Sequence, residues 1–317
     1  MNRQIELHLH LDGSLRPETV WELANEQQID FPSHSLEEVR YQMRVPEDCR
    51  TLEEYLKRFD LPLLVLQRAD ALERVTFELV EDLAKEGISY AEIRFAPQLS
   101  VQGGLTQDAV VEATIRGAKR GMQVYPGIRV GLILCCMRGA DNEELNLQTV
   151  ETARKYLGDV VCAVDIAGAE SLYPTENFRK VFERVNAYDL PMTIHAGEVA
   201  GPDSIRTALS FGTKRIGHGV SAIQDPALMQ ELIEKQVTLE VCVTSNYHTK
   251  VVPSIAQHPI RKLFDAGVRV TVNSDNRTAS GTTLGQEVAI LRDVFGFTEA
   301  ELAKINAYAW EARFLKE

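Results

Sequence analysis

The chain has 317 residues, 44% of them hydrophobic and 25% charged, and its formal net charge at pH 7 is −12. A chain this acidic repels polyanions, so nucleic acid and anionic membrane surfaces are excluded as expected partners. No apolar run approaches the roughly 18 residues of a membrane span. The first residues lack the basic and apolar regions of a secretion signal, so we expect none. The five cysteines lack CxxC spacing, so we expect them to be reduced and mostly buried in a cytoplasmic protein.

Eight short β-branched segments follow one another along the chain, separated by amphipathic helical segments. Strands that alternate with helices form a parallel sheet, and eight such units predict an α/β fold, a closed (β/α)₈ TIM barrel. The predicted strands are residues 5–10, 88–95, 128–137, 160–168, 190–198, 214–219, 237–243 and 268–276. Residues 15–87 are too long for one crossover and predict a helical insertion after the first strand. We therefore expect one domain, 1–317, with residues 15–87 as a helical lid.

The first predicted strand lies in "IELHLHLDGS", residues 5–14. Side chains alternate between the two faces of an extended chain, which gives one apolar face and one polar face. The polar face carries Glu6, His8, His10 and Asp12. One interpretation is an amphipathic strand at the sheet surface, with its polar side in water. The other is a metal site, because two imidazoles at i and i+2 can offer two nitrogens to one ion. This stretch alone favours neither.

Catalytic residues of a (β/α)₈ barrel lie at the carboxyl ends of its strands. Four of the seven histidines are predicted there, at the ends of three strands. The polar residues predicted at strand ends are His8, His10, Arg94, Asp165, His195, His218, Asn246 and Asp275. The other histidines, at positions 34, 248 and 258, fall in loop-like segments and are expected to be solvated.

Three motifs supply the remaining candidates: "HAGE" with His195 and Glu198, "RIGHG" with His218, and "VNSDN" with Asp275. Three histidines and one aspartate then form a set that suits one divalent ion per chain, zinc first, with a position open for water. That set is His8, His10, His195 and Asp275. Structural zinc sites prefer cysteines, so this site is predicted to be catalytic.

Two ionisable residues remain beside the predicted metal site. Metal-assisted attack on a ring carbon needs a proton delivered to the ring and a group that handles the proton of water. We interpret Glu198 as the acid and His218 as the base or electrostatic partner. Alternatively, Glu198 compensates a helix dipole, and His218 is a core histidine bound to backbone.

Taken in order, six motifs closely resemble those of the adenosine deaminase family of metal-dependent barrel hydrolases: "HLHLDGS", "DIAGAE", "HAGE", "RIGHG", "TSN" and "NSDN". The resemblance covers nearly the whole chain. It implies one Zn²⁺ per chain and hydrolysis of the 6-amino group of adenosine or 2′-deoxyadenosine, giving inosine or 2′-deoxyinosine and ammonia. The zinc ligands that it implies are His8, His10, His195 and Asp275.

The resemblance also implies roles around the metal. Glu198 protonates purine N1, which allows zinc hydroxide to attack C6, while His218 and Asp275 orient or deprotonate the water. The implied substrate-binding residues are His10, Asp12 at the ribose, Gly168 through its backbone N–H at purine N3, and Asn276. The "TLEEYLKRF" helix either resembles the family's apolar gate or is an ordinary amphipathic helix. Its gate residues would be Leu52, Tyr55, Leu56 and Phe59.

The chain departs from the family's pattern at two positions. Asn276 stands where the family often has a second aspartate that contacts purine N7. We interpret Asn276 as a donor with the same role or as a turn residue. Ala169 gives "AGAE" where the family often has "AGDE". Both departures bear on substrate preference.

A small-molecule purine nucleoside is the expected partner, and the alternative is deamination of adenine or another 6-aminopurine derivative on the same fold. A nucleotide is disfavoured because no basic cluster suits a phosphate. Deaminases of nucleic-acid bases are disfavoured because their H-x-E and P-C-x-x-C signature is absent. A non-catalytic binding protein has no need for a complete acid, base and metal set. The sequence leaves the oligomeric state and regulation open.

Overall fold

The computed structural model describes residues 3–316, in which eight strands alternate with helices. The strands are β1 (Gln4–His10), β2 (Ile88–Phe95), β3 (Arg129–Met137), β4 (Val161–Ala167), β5 (Ile194–Ala196), β6 (Arg215–His218), β7 (Thr238–Val241) and β8 (Arg269–Val272). Each strand pairs in parallel with the next within two four-stranded sheets, β1 to β4 and β5 to β8.

Backbone hydrogen bonds join the two sheets into a closed barrel. At one seam the N–H of Thr193 donates to the carbonyl of Val164, and at the other the N–H of His10 donates to the carbonyl of Asp275. The predicted (β/α)₈ barrel is therefore confirmed. β5 is shorter than predicted at both ends: Pro191 has no N–H to donate to a ladder, and Gly197, at φ 68°, turns the chain out of the strand after Ala196. β8 ends at Val272, and the chain after it turns inward towards β1.

The helices of the described residues cover the outside of the barrel and its carboxyl end. They are α1 (Pro17–Glu26), α2 (Leu36–Met43), α3 (Leu52–Leu56), α4 (Asp60–Val65), α5 (Ala69–Lys85), α6 (Gln107–Val124), α7 (Glu143–Tyr156), α8 (Arg179–Ala187), α9 (Pro202–Ser210), α10 (Pro226–Glu234), α11 (Val243–His248), α12 (Ile260–Asp265), α13 (Arg277–Ser280), α14 (Leu284–Asp293) and α15 (Glu299–Ala312). None of these helices is long and apolar enough to cross a bilayer.

Five helices, α1 to α5, occupy the segment between β1 and β2. α5 packs against β2 and α6, as the crossover helix of a barrel unit does. α3 begins after Thr51, whose hydroxyl accepts the N–H of Glu54 and so caps the helix. The segment predicted as an insertion is thus largely helical, and its role as a lid stays a prediction.

The main hydrophobic core lies between the strands and the surrounding helices. The side chains of β1 alternate between the side of this core and the interior of the barrel. Leu9 and Leu11 face this core, while Glu6 and His8 on the opposite side are also fully buried. Polar residues of β1 therefore face the barrel interior, and the interpretation of β1 as a surface strand is wrong. All five cysteines are free and buried, as expected.

Candidate active site

The four predicted metal ligands meet at the carboxyl end of the barrel. Nε2 of His10 lies 3.3 Å from Nε2 of His195 and 3.4 Å from Oδ1 of Asp275, and Nε2 of His8 lies 3.4 Å from the same oxygen. The rings of His8 and His195 are 4.6 Å apart. Four ligand atoms thus surround a single point. Two come from β1, one from β5 and one from the turn after β8.

These separations fit a tetrahedral metal. Ligand bonds of about 2.0–2.1 Å place the donors of a regular tetrahedron roughly 3.3–3.4 Å apart. Within residues 3–316, Nε2 of His8 and Oδ1 of Asp275 are buried without a hydrogen-bond partner. A buried polar atom without a partner is energetically costly, and a divalent cation bound to both atoms would remove that cost. The donor set therefore fits a zinc-type site.

Carboxylates behind the histidines orient two of the rings. Nδ1 of His8 lies 2.9 Å from Glu240, and Nδ1 of His195 lies 2.8 Å from Asp165, so each ring turns Nε2 towards the common point. The guanidinium of Arg94 donates to both carboxylates at 2.7 Å. Carboxylate–histidine–metal arrangements fix the ring and its tautomer. Sequence reasoning missed Glu240, for which the signal was a lone carboxylate in the apolar strand "VTLEVCV".

Burial keeps the β1 histidines uncharged, as metal ligation requires. Burial, with the nearby Arg94 charge, lowers the pKa of His8 to about 4. Burial also holds the pKa of His10 well below its ordinary value, although the carboxylate of Asp275 acts in the opposite direction. Both rings therefore offer a lone pair at neutral pH.

Two site residues have a strained backbone. His218 and Asp275 have φ angles of 62° and 61°, in the left-handed region that residues with a Cβ rarely adopt. Such conformations cost about 1–3 kcal/mol and cluster at functional sites. The N–H of Asp275 donates to the carbonyl of His8, which holds the turn against β1. Beside it, a Cβ on Gly217 would lie 3.1 Å from the His8 ring, so the glycine allows this close approach.

Glu198 lines the same pocket as His10, His195 and Asp275 and is 8% exposed. The hydroxyl of Thr249 donates to its Oε1 at 3.1 Å, and its Oε2 lies 3.6 Å from Nε2 of His218. Burial raises the pKa of Glu198, although the neighbouring His218 acts to lower it. The next helix, α9, begins only at Pro202, so Glu198 does not lie in its first turn, where a carboxylate compensates the helix dipole best.

Glu170, the last residue of "DIAGAE", holds the loop that carries Glu198. Its carboxylate accepts the N–H groups of all four residues 197–200, at 2.7–3.1 Å, and the hydroxyl of Ser204. Burial raises the pKa of Glu170, but the charge of Arg138 and the donated hydrogen bonds outweigh it and leave the pKa below its usual value. Sequence reasoning assigned no role to Glu170, because the N–H groups that bind it come from a loop about 30 residues away.

The predicted substrate-binding residues line one pocket above the metal site. Asp12, Gly168 and Asn276 lie in its wall with His10, and α3 and the turn after it cover it with Leu52, Tyr55, Leu56 and Phe59. Burial raises the pKa of Asp12 to about 6. The predicted gate is not wholly apolar, because the hydroxyl of Tyr55 pairs with that of Ser280 at 2.7 Å.

Two residues lie in places that the sequence did not predict. Asn246 does not end a strand but lies fully buried on α11, because β7 stops at Val241 and a helix begins directly after it. His258, expected in solvent, is 3% exposed, since its ring binds both Asn246 and the backbone N–H of Ile260. His218 contacts the side chain of Asn246, so it is not a core histidine bound to backbone.

A family model described as Adenosine deaminase matches residues 4–317. The chain belongs to the adenosine deaminase family. A relative called adenosine deaminase from Haemophilus ducreyi is 43% identical over 98% of this chain and 91% of its own length. Another from Vibrio vulnificus (strain YJ016) is 40% identical over 94% of this chain and 90% of its own length.

Among solved structures, the adenine deaminase of Arthrobacter aurescens has a TM-score of 0.92 to this chain. The two chains are 26% identical, and the match covers 100% of this chain and 95% of that one. Members of the adenosine deaminase family are metal-dependent hydrolases that act on C–N bonds. The clustered histidines and aspartate found here agree with such chemistry.

Proposed function

We propose that this protein hydrolyses adenosine and 2′-deoxyadenosine to inosine and 2′-deoxyinosine with release of ammonia. The observation that carries the proposal is one pocket lined by His10, His195, Asp275 and the carboxyl group of Glu198, with Nε2 of His8 3.4 Å from the carboxylate of Asp275. The relatives support adenosine as the substrate. Those called adenosine deaminase are 43% and 40% identical to this chain, whereas the adenine deaminase is 26% identical.

One Zn²⁺ per chain would be held by His8, His10, His195 and Asp275. When bound, zinc lowers the pKa of a water molecule to about 7 and so supplies a nucleophile at neutral pH. Glu240 and Asp165 keep two of the imidazoles in the orientation that ligation requires. The strained turn at Asp275 brings its carboxylate to the histidines.

Glu198 supplies the proton for purine N1. Burial favours its uncharged, protonated form. The hydroxyl of Thr249, which also contacts the carbonyl of Ser245, lies 3.1 Å from Oε1 and holds the carboxyl group in place. Protonation at N1 makes C6 more electrophilic and prepares it for attack by water. His218 is 3.6 Å from Oε2 and is assigned with Asp275 to orient that water.

The remaining pocket residues hold the nucleoside. Oδ1 of Asp12 is buried and has no hydrogen-bond partner among residues 3–316, so it can accept a ribose hydroxyl. Gly168, at φ 108°, presents its backbone N–H to purine N3. Residues 15–87 form a helical lid on a single domain, 1–317, with α3 closing the pocket. No nucleic acid or membrane takes part, and five free cysteines support a cytoplasmic location.

A panel of purine substrates tests this function. We expect ammonia release and the loss of adenosine absorbance with adenosine and 2′-deoxyadenosine. Adenine, AMP and N6-methyladenosine should have much lower kcat/KM values. Removal of metal by a chelator should abolish turnover, and added zinc should restore it. A higher kcat/KM for adenine than for adenosine would contradict the proposal.

Asn276 is assigned to donate a hydrogen bond to purine N7. It occupies the position before α13, yet its side chain makes no capping hydrogen bond, which argues against a turn role. 7-Deazaadenosine has a carbon in place of N7, so a buried donor is left unpaired at a cost of about 1–3 kcal/mol. The wild-type protein should therefore have a lower kcat/KM for the analogue than for adenosine.

In Asn276→Ala the penalty for the analogue should shrink, because the donor is already gone. The ratio of the two kcat/KM values within each variant is the measurement, which cancels any general loss of activity. An equal penalty in the variant and the wild type would show that Asn276 does not bind N7.

A further inference from the structure

We infer that His258 and Asn246 form a buried relay that fixes the tautomer of His218, so that Nε2 of His218 presents an N–H to the reacting groups. The inference rests on the proposed function for the identity of the reaction, but the hydrogen bonds that carry it do not. His218 is thereby a hydrogen-bond donor in the site.

The relay starts at a backbone group whose role is fixed. The N–H of Ile260 donates to Nδ1 of His258 at 3.1 Å. A backbone N–H is always a donor, so Nδ1 of His258 must be unprotonated and accept this hydrogen bond. Burial lowers the pKa of His258 to about 3, with a contribution from nearby His218. A neutral imidazole with a bare Nδ1 carries its hydrogen on Nε2.

The hydrogen on His258 then sets the orientation of the next side chain. Nε2 of His258 lies 3.2 Å from Oδ1 of Asn246, and a carboxamide oxygen is an acceptor. The other end of this amide, Nδ2, can only donate, and it lies 3.1 Å from Nδ1 of His218. Nδ1 of His218 must therefore be unprotonated as well, which places the ring hydrogen of His218 on Nε2.

The direction of that hydrogen decides what His218 can do. Its Nε2 is the ring nitrogen that faces Glu198, at 3.6 Å from Oε2. A hydrogen on Nδ1 would instead face the N–H groups of Asn246, 3.1 Å away, and two donors that face each other in a buried place are unfavourable. The relay therefore gives Nε2 of His218 the role of a hydrogen-bond donor towards the reacting groups.

Neither relay residue touches the substrate pocket, so both are positioning residues. Asn246 is fully buried on α11, and His258 is 3% exposed in the segment before α12. The residues that line the pocket include His218 but neither Asn246 nor His258. Substitutions in the relay should consequently change kcat much more than KM.

The direct test is ¹⁵N NMR of the zinc-loaded protein with labelled histidine. Protonated and bare imidazole nitrogens have well-separated ¹⁵N shifts, and their couplings to the ring carbons' hydrogens identify Nδ1 and Nε2. We expect His218 and His258 both to carry hydrogen on Nε2 and none on Nδ1. Hydrogen on Nδ1 of His218, or a doubly protonated ring, would overturn the relay.

Asn246→Asp is the matching variant, because it replaces one NH₂ group by an oxygen of nearly the same size. The new carboxylate accepts at Nδ1 and moves the hydrogen of His218 to that nitrogen. A wrong histidine tautomer in a serine-protease triad costs about 10⁴ in kcat, so we expect a loss on the order of 10²–10⁴-fold here. Metal content and KM should stay near wild type, and the NMR signature of His218 should invert.

Two substitutions of His258 distinguish a hydrogen-bonding role of this residue from a role in packing alone. In His258→Gln the amide can still accept from Ile260 and donate to Asn246, so we expect a loss of only a few fold. His258→Leu fills the space but donates nothing, and should lose about 10- to 100-fold, as outer-shell variants do. His34→Gln, at an exposed histidine, is the control and should match the wild type.

Equal losses in His258→Gln and His258→Leu would overturn the relay, as would an Asn246→Asp variant with normal kcat. An Asn246→Asp variant that does not fold leaves the NMR result on the wild-type protein to decide. The NMR measurement needs no turnover, so the relay and the proposed function fail separately. A wild-type protein with the expected tautomers and no deaminase activity would contradict only the latter.

Discussion

Replacement of His195 by alanine is expected to abolish both metal binding and turnover. The ring of His195 supplies the donor from β5, and its Nε2 lies 3.3 Å from that of His10. Without it, the set falls to three donors on two segments, and Asp165 loses a buried partner. Because bulk water has a pKa of about 15.7 and zinc-bound water one of about 7, turnover should fall by several orders of magnitude.

Elemental analysis should give close to one zinc per wild-type chain and almost none in His195→Ala. Added zinc should raise the unfolding midpoint of metal-free wild type, because a ligand that binds only the native state stabilises it, but should not raise that of the variant. His34→Ala serves as the control at an exposed histidine. Full zinc occupancy in His195→Ala would remove His195 from the ligand set.

Glu198→Gln should lose about 10²–10⁴ in kcat, the usual worth of a general acid, while it keeps its zinc. Glutamine retains the size of the side chain and can accept from the Thr249 hydroxyl, but it has no proton to deliver. The carboxyl group is not among the four converging donors. Steady-state kinetics and zinc content should be measured on the same preparation.

Glu234→Gln is a suitable control, because Glu234 is exposed on α10 and contacts only Gln230 through its side chain among the hydrogen bonds of residues 3–316. Its kcat should equal that of the wild type. Near-normal turnover in Glu198→Gln would exclude Glu198 as the acid. Loss of zinc in that variant would instead show that Glu198 is a ligand.

The family and most of the fold could be read from the sequence. Strand and helix periods depend on neighbouring residues, so the alternation in β1 and the eight β/α units were visible without any tertiary information. The strand bounds agree within a residue or two, except where Pro191 shortens β5 and where the chain turns after β8. The candidate ligands were also visible, because barrel geometry brings strand ends together.

Only the tertiary structure decided how those residues are held. Glu240 lies 232 positions from His8, and a lone carboxylate in an apolar strand does not reveal its partner. Local pattern likewise placed His258 in solvent, whereas its ring is buried between Ile260 and Asn246. Side chains that orient the site come from different strands and loops, and their pairing depends on barrel closure. The sequence therefore determined which groups are available for the chemistry, and the closed barrel determined their orientation, their burial and their hydrogen-bond partners.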